Sequence, residues 1–136
     1  MTDKNQETKQ LIELGYSDRA IELYLNDVNF GVMEKSDAGA VIQGSSGDLI
    51  RLYIKLNGET IEDAKFLCFG CPGSLAAMAA LTLTIKGQSL NDAKKLAVDD
   101  ILKELGGLPE TKQECAEIAL KTLKKAIASY EKSNVP

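Results

Sequence analysis

The stretch from Ile50 to Ile85 constrains the fold more than any other part of the chain. Ile50, Leu52, Ile54 and Leu56 alternate with Arg51, Tyr53 and Lys55, the period of two that buries one face of a strand. Asn57-Gly58 follows, a dipeptide suited to a tight hairpin because both residues tolerate positive φ. Thr60 to Phe69 then reads as the returning strand, with Ala64, Phe66 and Cys68 on its apolar face. At Gly70 the pattern turns helical. Pro72 suits a first helical turn, where its missing N–H costs nothing, and Gly87 suits the C-terminal cap. Leu75 to Ile85 carries no charge on any side, so this helix is expected to be buried all round.

The remaining elements are shorter. Met1 to Lys9 are polar and expected to be loose, and Leu11 to Leu14 extend a short N-terminal helix. Ser17 reads as the N-cap of a helix to about Asn26, with Ala20, Ile21, Tyr24 and Leu25 on one side. Phe30-Gly31-Val32-Met33 is expected to open an extended segment, Ala38 to Gln43 to form a strand, and Gly44-Ser45-Ser46-Gly47 to turn. Ser89 with Asp92 resembles a capping box for a short helix to about Leu96. Asp99 to Leu105 is another, stopped by Gly106-Gly107. Thr111 is expected to cap the last helix, whose stripe is Cys115, Ala119, Thr122, Ala126 and Tyr130. The expected class is α+β, a small antiparallel sheet of about three strands covered by helices. Residues 1–15 form a polar extension, 16–131 a single domain and 132–136 a tail.

Composition removes several functions. The net charge of −4 and the lack of a long basic cluster argue against nucleic-acid binding. The longest apolar run, Leu75 to Ile85, falls short of the about 20 residues that span a bilayer. There is no histidine, which removes Ser-His and Cys-His dyads and the common neutral metal ligand. No Walker-type loop is present. Hydrolase-type nucleophilic catalysis is therefore not expected. The N-terminus lacks an apolar signal core. Three cysteines do not read as a disulfide framework and suit the reducing cytoplasm, where metal or catalytic roles are commoner.

Cys71 and Cys115 each stand where a helix begins. A helix N-terminus offers free amide donors and a partial positive charge, which favour thiolate over thiol. Two such thiolates can hold a soft metal, carry sulfur or exchange disulfides, provided that the fold brings them together. Cys68-x-x-Cys71 is a further candidate redox or metal pair. Cys68 shares the strand face of Ala64 and Phe66, however, and reads first as a core residue.

From Tyr16 to about Tyr130 the sequence resembles the U-type iron–sulfur cluster assembly scaffolds, the IscU/NifU N-terminal domain group. The resemblance rests on Tyr16-Ser17, Asn29-Phe30-Gly31, Ser46-Gly47-Asp48, Ile61-Glu62-Asp63-Ala64-Lys65-Phe66, Phe69-Gly70-Cys71, Ile85-Lys86-Gly87, Gly107-Leu108-Pro109 and Glu114-Cys115. It implies that a Cys-Gly-Asp loop, a Gly-Cys before the buried helix and a His-Cys opening the last helix converge on one exposed site for zinc or a nascent cluster. Asp48, Cys71 and Cys115 stand at three of those positions. Ser46 replaces the first cysteine and Glu114 the histidine, Pro109-Glu110-Thr111-Lys112 departs from the segment read by the family's chaperone, and Asp27 replaces a proline.

A [2Fe–2S] cluster takes four terminal ligands, normally thiolates. By the resemblance Cys71, Cys115 and Asp48 bind iron or the transient cluster, and Glu114, Ser46 and Cys68 are the candidates for the remaining position. Each has a second reading. Glu114 completes a capping box with Thr111, Cys115 can be a small core residue, Cys71 and Asp48 can be structural turn residues, and Ser46 is foremost a turn residue. The resemblance further implies sulfur delivered by a cysteine desulfurase, with Cys115 as the expected persulfide acceptor, and transfer to apo iron–sulfur proteins. A chaperone contact is left open, as is a homodimer whose second copy supplies the missing thiolates. Two alternatives stay open: a divergent paralogue acting as sulfur relay or desulfurase modulator, and a mononuclear zinc module built on Asp48, Cys71 and Cys115.

Overall fold

A computed structural model of the chain describes residues 4–43 and 47–133. Its elements are α1 (Lys4–Glu13), α2 (Asp18–Leu25), β1 (Ala38–Gln43), β2 (Leu49–Asn57), β3 (Thr60–Phe69), α3 (Pro72–Ile85), α4 (Leu90–Lys94), α5 (Val98–Leu105) and α6 (Glu114–Ser133). The strands form one antiparallel sheet in the order β1-β2-β3, and helices cover one face, as the α+β reading expects. None of the described helices is long and apolar enough to cross a membrane.

The hairpin aligns the alternation read from the sequence. Ile50 lies opposite Cys68, Leu52 opposite Phe66 and Ile54 opposite Ala64, and all six side chains are buried. Burying each of the larger ones stabilises the fold by roughly 1.5–3 kcal/mol. The turn differs in detail. Asn57 still pairs with Thr60, so the two loop residues are Gly58 and Glu59, and Gly58 alone takes positive φ, at 64°. A bulge follows: Lys55 faces Asp63 while Leu56 faces Ile61. The extra residue, Glu62, brings Ile61 onto the buried face out of step with Ala64 and leaves Leu56 half-buried.

Helix α3 runs through the middle, against α2, α5, α6 and β3. Ala76 through Thr82 and Ile85 are buried, while Leu75, Leu83 and Thr84 are half-buried. An uncharged helix is required here because any unpaired charge would be desolvated. Cys71 is its N-cap residue and Pro72 follows at the first helical position. Gly87, just beyond the last turn, has φ +86°. Helix α6 lies over β1 with Cys115, Ala119, Thr122 and Ala126 buried and Tyr130 packed at the core's edge.

Four expectations are modified. Residues expected to be loose up to Lys9 are helical from Lys4, and Leu11 anchors this helix in the core. Phe30 to Met33 form no strand; Phe30 makes a single parallel bridge to Phe66, with its ring edge-on at 5.6 Å. Thr111 does not cap α6, because residues Glu110–Lys112 wind into a separate 3-10 turn and the helix starts at Glu114. Leu23, left off the expected face of α2, is among its buried residues. The Ser17 cap stands as read, accepting from the Ala20 amide at 3.0 Å. The Ser89 hydroxyl accepts from the Asp92 amide at 3.1 Å.

Candidate functional site

Three distant segments meet at the N-terminal end of α3. The β3–α3 junction delivers Cys71, the start of α6 delivers Cys115, and the residue before β2 delivers Asp48. The two sulfurs stand 3.8 Å apart. Two sulfurs bound to one tetrahedral ion at about 2.3 Å would be separated by about 3.8 Å, so the pair already has the spacing of a chelate. All three cysteines are free thiols.

Ser74 is the hub of this cluster. Its hydroxyl lies 2.9 Å from Asp48 Oδ2, 3.5 Å from Cys115 Sγ and 3.6 Å from Cys71 Sγ. Asp48 therefore reaches the thiols through one hydroxyl group rather than directly. Among the described residues, no three cysteine or carboxylate side chains close on a point as a complete metal cage. Two glycines keep the space open. A β carbon at Gly70 would fall 2.8 Å from the Asp48 carboxyl carbon, and one at Gly73 would fall 3.2 Å from both Cys115 Sγ and the Tyr16 hydroxyl oxygen.

The thiols differ in exposure and charge. Cys71 is half-buried at the rim and Cys115 is buried behind it. The Cys71 thiol is lowered to about 5, chiefly because the Cys115 thiol donates to it; burial opposes this, and the Ser74 hydroxyl and amide and the Lys112 ammonium reinforce it. Cys115 is raised, first by serving as that donor and second by burial. The pair thus holds one proton, kept on Cys115, and the thiolate is Cys71. The hydrogen bond between the two thiols, more than burial, sets them apart, since burial raises both. Tyr16 closes the inner wall, its phenol pushed up to about 12 by burial and then by the two thiols.

The other candidates lie elsewhere. Cys68 is in the core opposite Ile50, and burial, followed by Asp48 and Cys71, pushes its thiol up to about 12. Strand alternation turns it into the core with Ala64 and Phe66, close enough for Asp48 and Cys71 to act on its charge. Glu114 opens α6 on an exposed turn. Ser46 lies outside the described residues. Ser74, Tyr16 and Lys112 carry no signal of their own as site residues. The available clue for Ser74 was a hydroxyl in the first turn of an uncharged helix, three residues after a candidate thiolate.

Comparison with known proteins agrees with this geometry. Residues 15–135 match the family model described as NifU-like N terminal domain. The chain is 37% identical over 120 residues to an iron-sulfur cluster assembly scaffold protein, IscU 1, of Archaeoglobus fulgidus, covering 88% of this chain and 78% of that protein. It is 37% identical over 123 residues to the IscU scaffold of Escherichia coli, covering 87% and 95%. A NifU-like N-terminal structure from Brucella abortus superposes with a TM-score of 0.73 at 16% identity, over 90% of this chain and 98% of that one, and so shares the fold. The chain belongs to the NifU-like N-terminal domain family of U-type scaffolds.

Proposed function

We propose that this protein is an iron–sulfur cluster assembly scaffold and not an enzyme: it holds iron and sulfide as cargo while a cluster forms and passes it to apo-proteins. The observation that carries the reading is the 3.8 Å approach of Cys71 and Cys115 from segments far apart in sequence, in a chain whose relatives bear that name. The soft thiolates take the iron of the nascent [2Fe–2S] unit. Asp48 is a hard donor held beside the thiols by the Ser74 hydroxyl. Zinc fits the same two sulfurs.

A cysteine desulfurase supplies the sulfur in this reading, and apo iron–sulfur proteins receive the product. The rim position and lowered pKa of Cys71 favour it as the first thiol to meet a persulfide, with Cys115 behind it. Two thiolates leave a [2Fe–2S] cluster half-ligated, so a second copy of the chain contributing the same pair completes four. Free thiols suit a reducing cytoplasm.

Anaerobic reconstitution with ferrous iron and sulfide tests the proposal. The expected product is brown, carries iron and labile sulfide in equal amounts and elutes as a dimer. Protein that stays colourless with one zinc per chain would replace the reading with a zinc module. A monomer with a complete cluster would end the dimer.

A further inference from the structure

The thiol pair has a second capacity that metal holding does not use. Cys71 and Cys115 face each other at 3.8 Å, whereas Cys68, the other thiol, is packed in the core and turned to the helix-covered side. Any sulfur placed on one member of the pair therefore has the other member's thiol at contact distance. We propose that the pair is a persulfide-resolving dithiol: it releases sulfane sulfur as sulfide with its own two electrons. The proposal rests on the reading that sulfur reaches this site as a persulfide.

The step balances within one chain. With the persulfide on one cysteine, the other thiol attacks the Sγ that carries the sulfane sulfur. The Sγ–Sγ bond forms and the bond to the outer sulfur breaks. Hydrosulfide leaves, takes the attacker's proton and departs as hydrogen sulfide. The two cysteines are oxidised to a disulfide and the sulfane sulfur is reduced to sulfide. A dithiol reductant then returns the pair to thiols by exchange. The outcome is the same whichever cysteine is loaded first.

Geometry favours attack on the inner sulfur. The partner already lies against that Sγ, and closing from 3.8 Å to the about 2.05 Å of a disulfide is a side-chain movement shared by two residues. Hydrosulfide is a weaker base than a cysteine thiolate and so the better leaving group. Ser74 lies within 3.6 Å of both sulfurs, with a hydroxyl able to donate to the charge as it moves. Each cycle would supply one sulfide beside Cys71 and Asp48, where the cargo is assembled.

Glutathione persulfide is the probe. Reduced full-length protein is mixed with one equivalent without oxygen, then alkylated, and mass and released sulfide are measured. The expected result is one sulfide per chain, loss of the mass of two hydrogens, and a Cys71–Cys115 disulfide in the peptide map. Cys71→Ser and Cys115→Ser should each retain one sulfur and release none, while Cys68→Ser should behave as wild type. Circular dichroism confirms that each variant is folded. A wild-type chain that keeps the sulfur as a stable persulfide overturns the proposal. So does a glutathione mixed disulfide, or equal sulfide release from Cys71→Ser and Cys115→Ser. Reconstitution from free sulfide bypasses this step: a cluster formed that way beside a failed probe experiment leaves the scaffold reading standing and removes this one, and the reverse pattern does the opposite.

Discussion

The two ends of α3 carry similar polar groups and treat them in opposite ways. At the C-terminal end, Lys86 Nζ donates to Asn29 Oδ1 at 2.6 Å and pairs with Asp63 at 3.0 Å, and Asn29 Nδ2 donates to the Thr82 hydroxyl at 3.0 Å. Each charge there has an opposite charge, and the carboxamide uses both of its ends. At the N-terminal end one hydroxyl proton on Ser74 and one proton of the thiol pair serve Asp48, Cys71 and Cys115 together, so acceptor sites there outnumber the protons. A closed network is a strut. An open one, rich in acceptors and short of donors, is what a cation can complete.

The sharpest way to break that comparison is to remove sulfur. Cys71→Ser or Cys115→Ser should lower iron and sulfide retained after reconstitution by at least about tenfold, since each removes one of only two soft donors. Lys86→Met, at the strut, should leave loading unchanged. Equal losses at both ends would mean that the N-terminal cluster is structural too.

Next comes the hub. Ser74→Ala removes the group that, among the described residues, touches both sulfurs and the carboxylate, and loading should fall by about tenfold, as for other groups that orient metal ligands. Gly70→Ala should act in the same direction but less, because the added carbon would press on Asp48 at 2.8 Å and tilt it off Ser74. Metal content of gel-filtered protein reads both. Loading above wild type in either variant would show that Ser74 blocks the site rather than organising it.

The two thiols can also be told apart by titration. Cys71 should be alkylated first by iodoacetamide, with a rate that is level through neutral pH and falls as pH drops through about 5, against an ordinary 9.0. Cys115→Ala removes the donating thiol and should move that midpoint upward. Peptide mapping of the alkylated chain decides it, and initial labelling at Cys115 would invert the assignment.

Much of this architecture was legible in the sequence, for stated physical reasons. Period-two alternation placed Ile50, Leu52 and Ile54 against Ala64, Phe66 and Cys68, and that same alternation put Cys68 in the core. Pro72 and Gly87 bounded the buried helix as read. The start of α6 was less legible: Thr111 and Glu114 have capping-box spacing, yet Pro109 leads into a 3-10 turn that takes up Thr111. Within the site, residue types pointed to Cys71, Cys115 and Asp48, but not to the order of the two thiols. That order follows from the contact between two sulfurs 3.8 Å apart, a tertiary feature with no local signature. Ser74 escaped for a related reason, since one of three hydroxyls on an uncharged helix becomes a hub only through what packs on it.

The smallest expected effect tests the strut by pH. Burial alone would raise the Asp63 carboxyl, but the Lys86 ammonium and the Ala64 amide overcome it and hold the group below the usual carboxylate range. A carboxylate whose folded pKa is depressed stabilises the protein above its unfolded pKa of about 3.9 and loses that contribution as pH falls through the folded value. Asp63→Asn should therefore lower stability at neutral pH and flatten the acid limb of the unfolding curve below about pH 4. The two side chains are 33% and 39% exposed, so solvent screening limits the neutral-pH loss to about 0.5 kcal/mol. Urea midpoints at pH 7 and pH 3 give the difference directly. A loss that stays constant across that range would mean that Asp63 acts through its hydrogen bonds to Lys86 and Ala64, which the amide weakens at every pH, and that the charge itself contributes little.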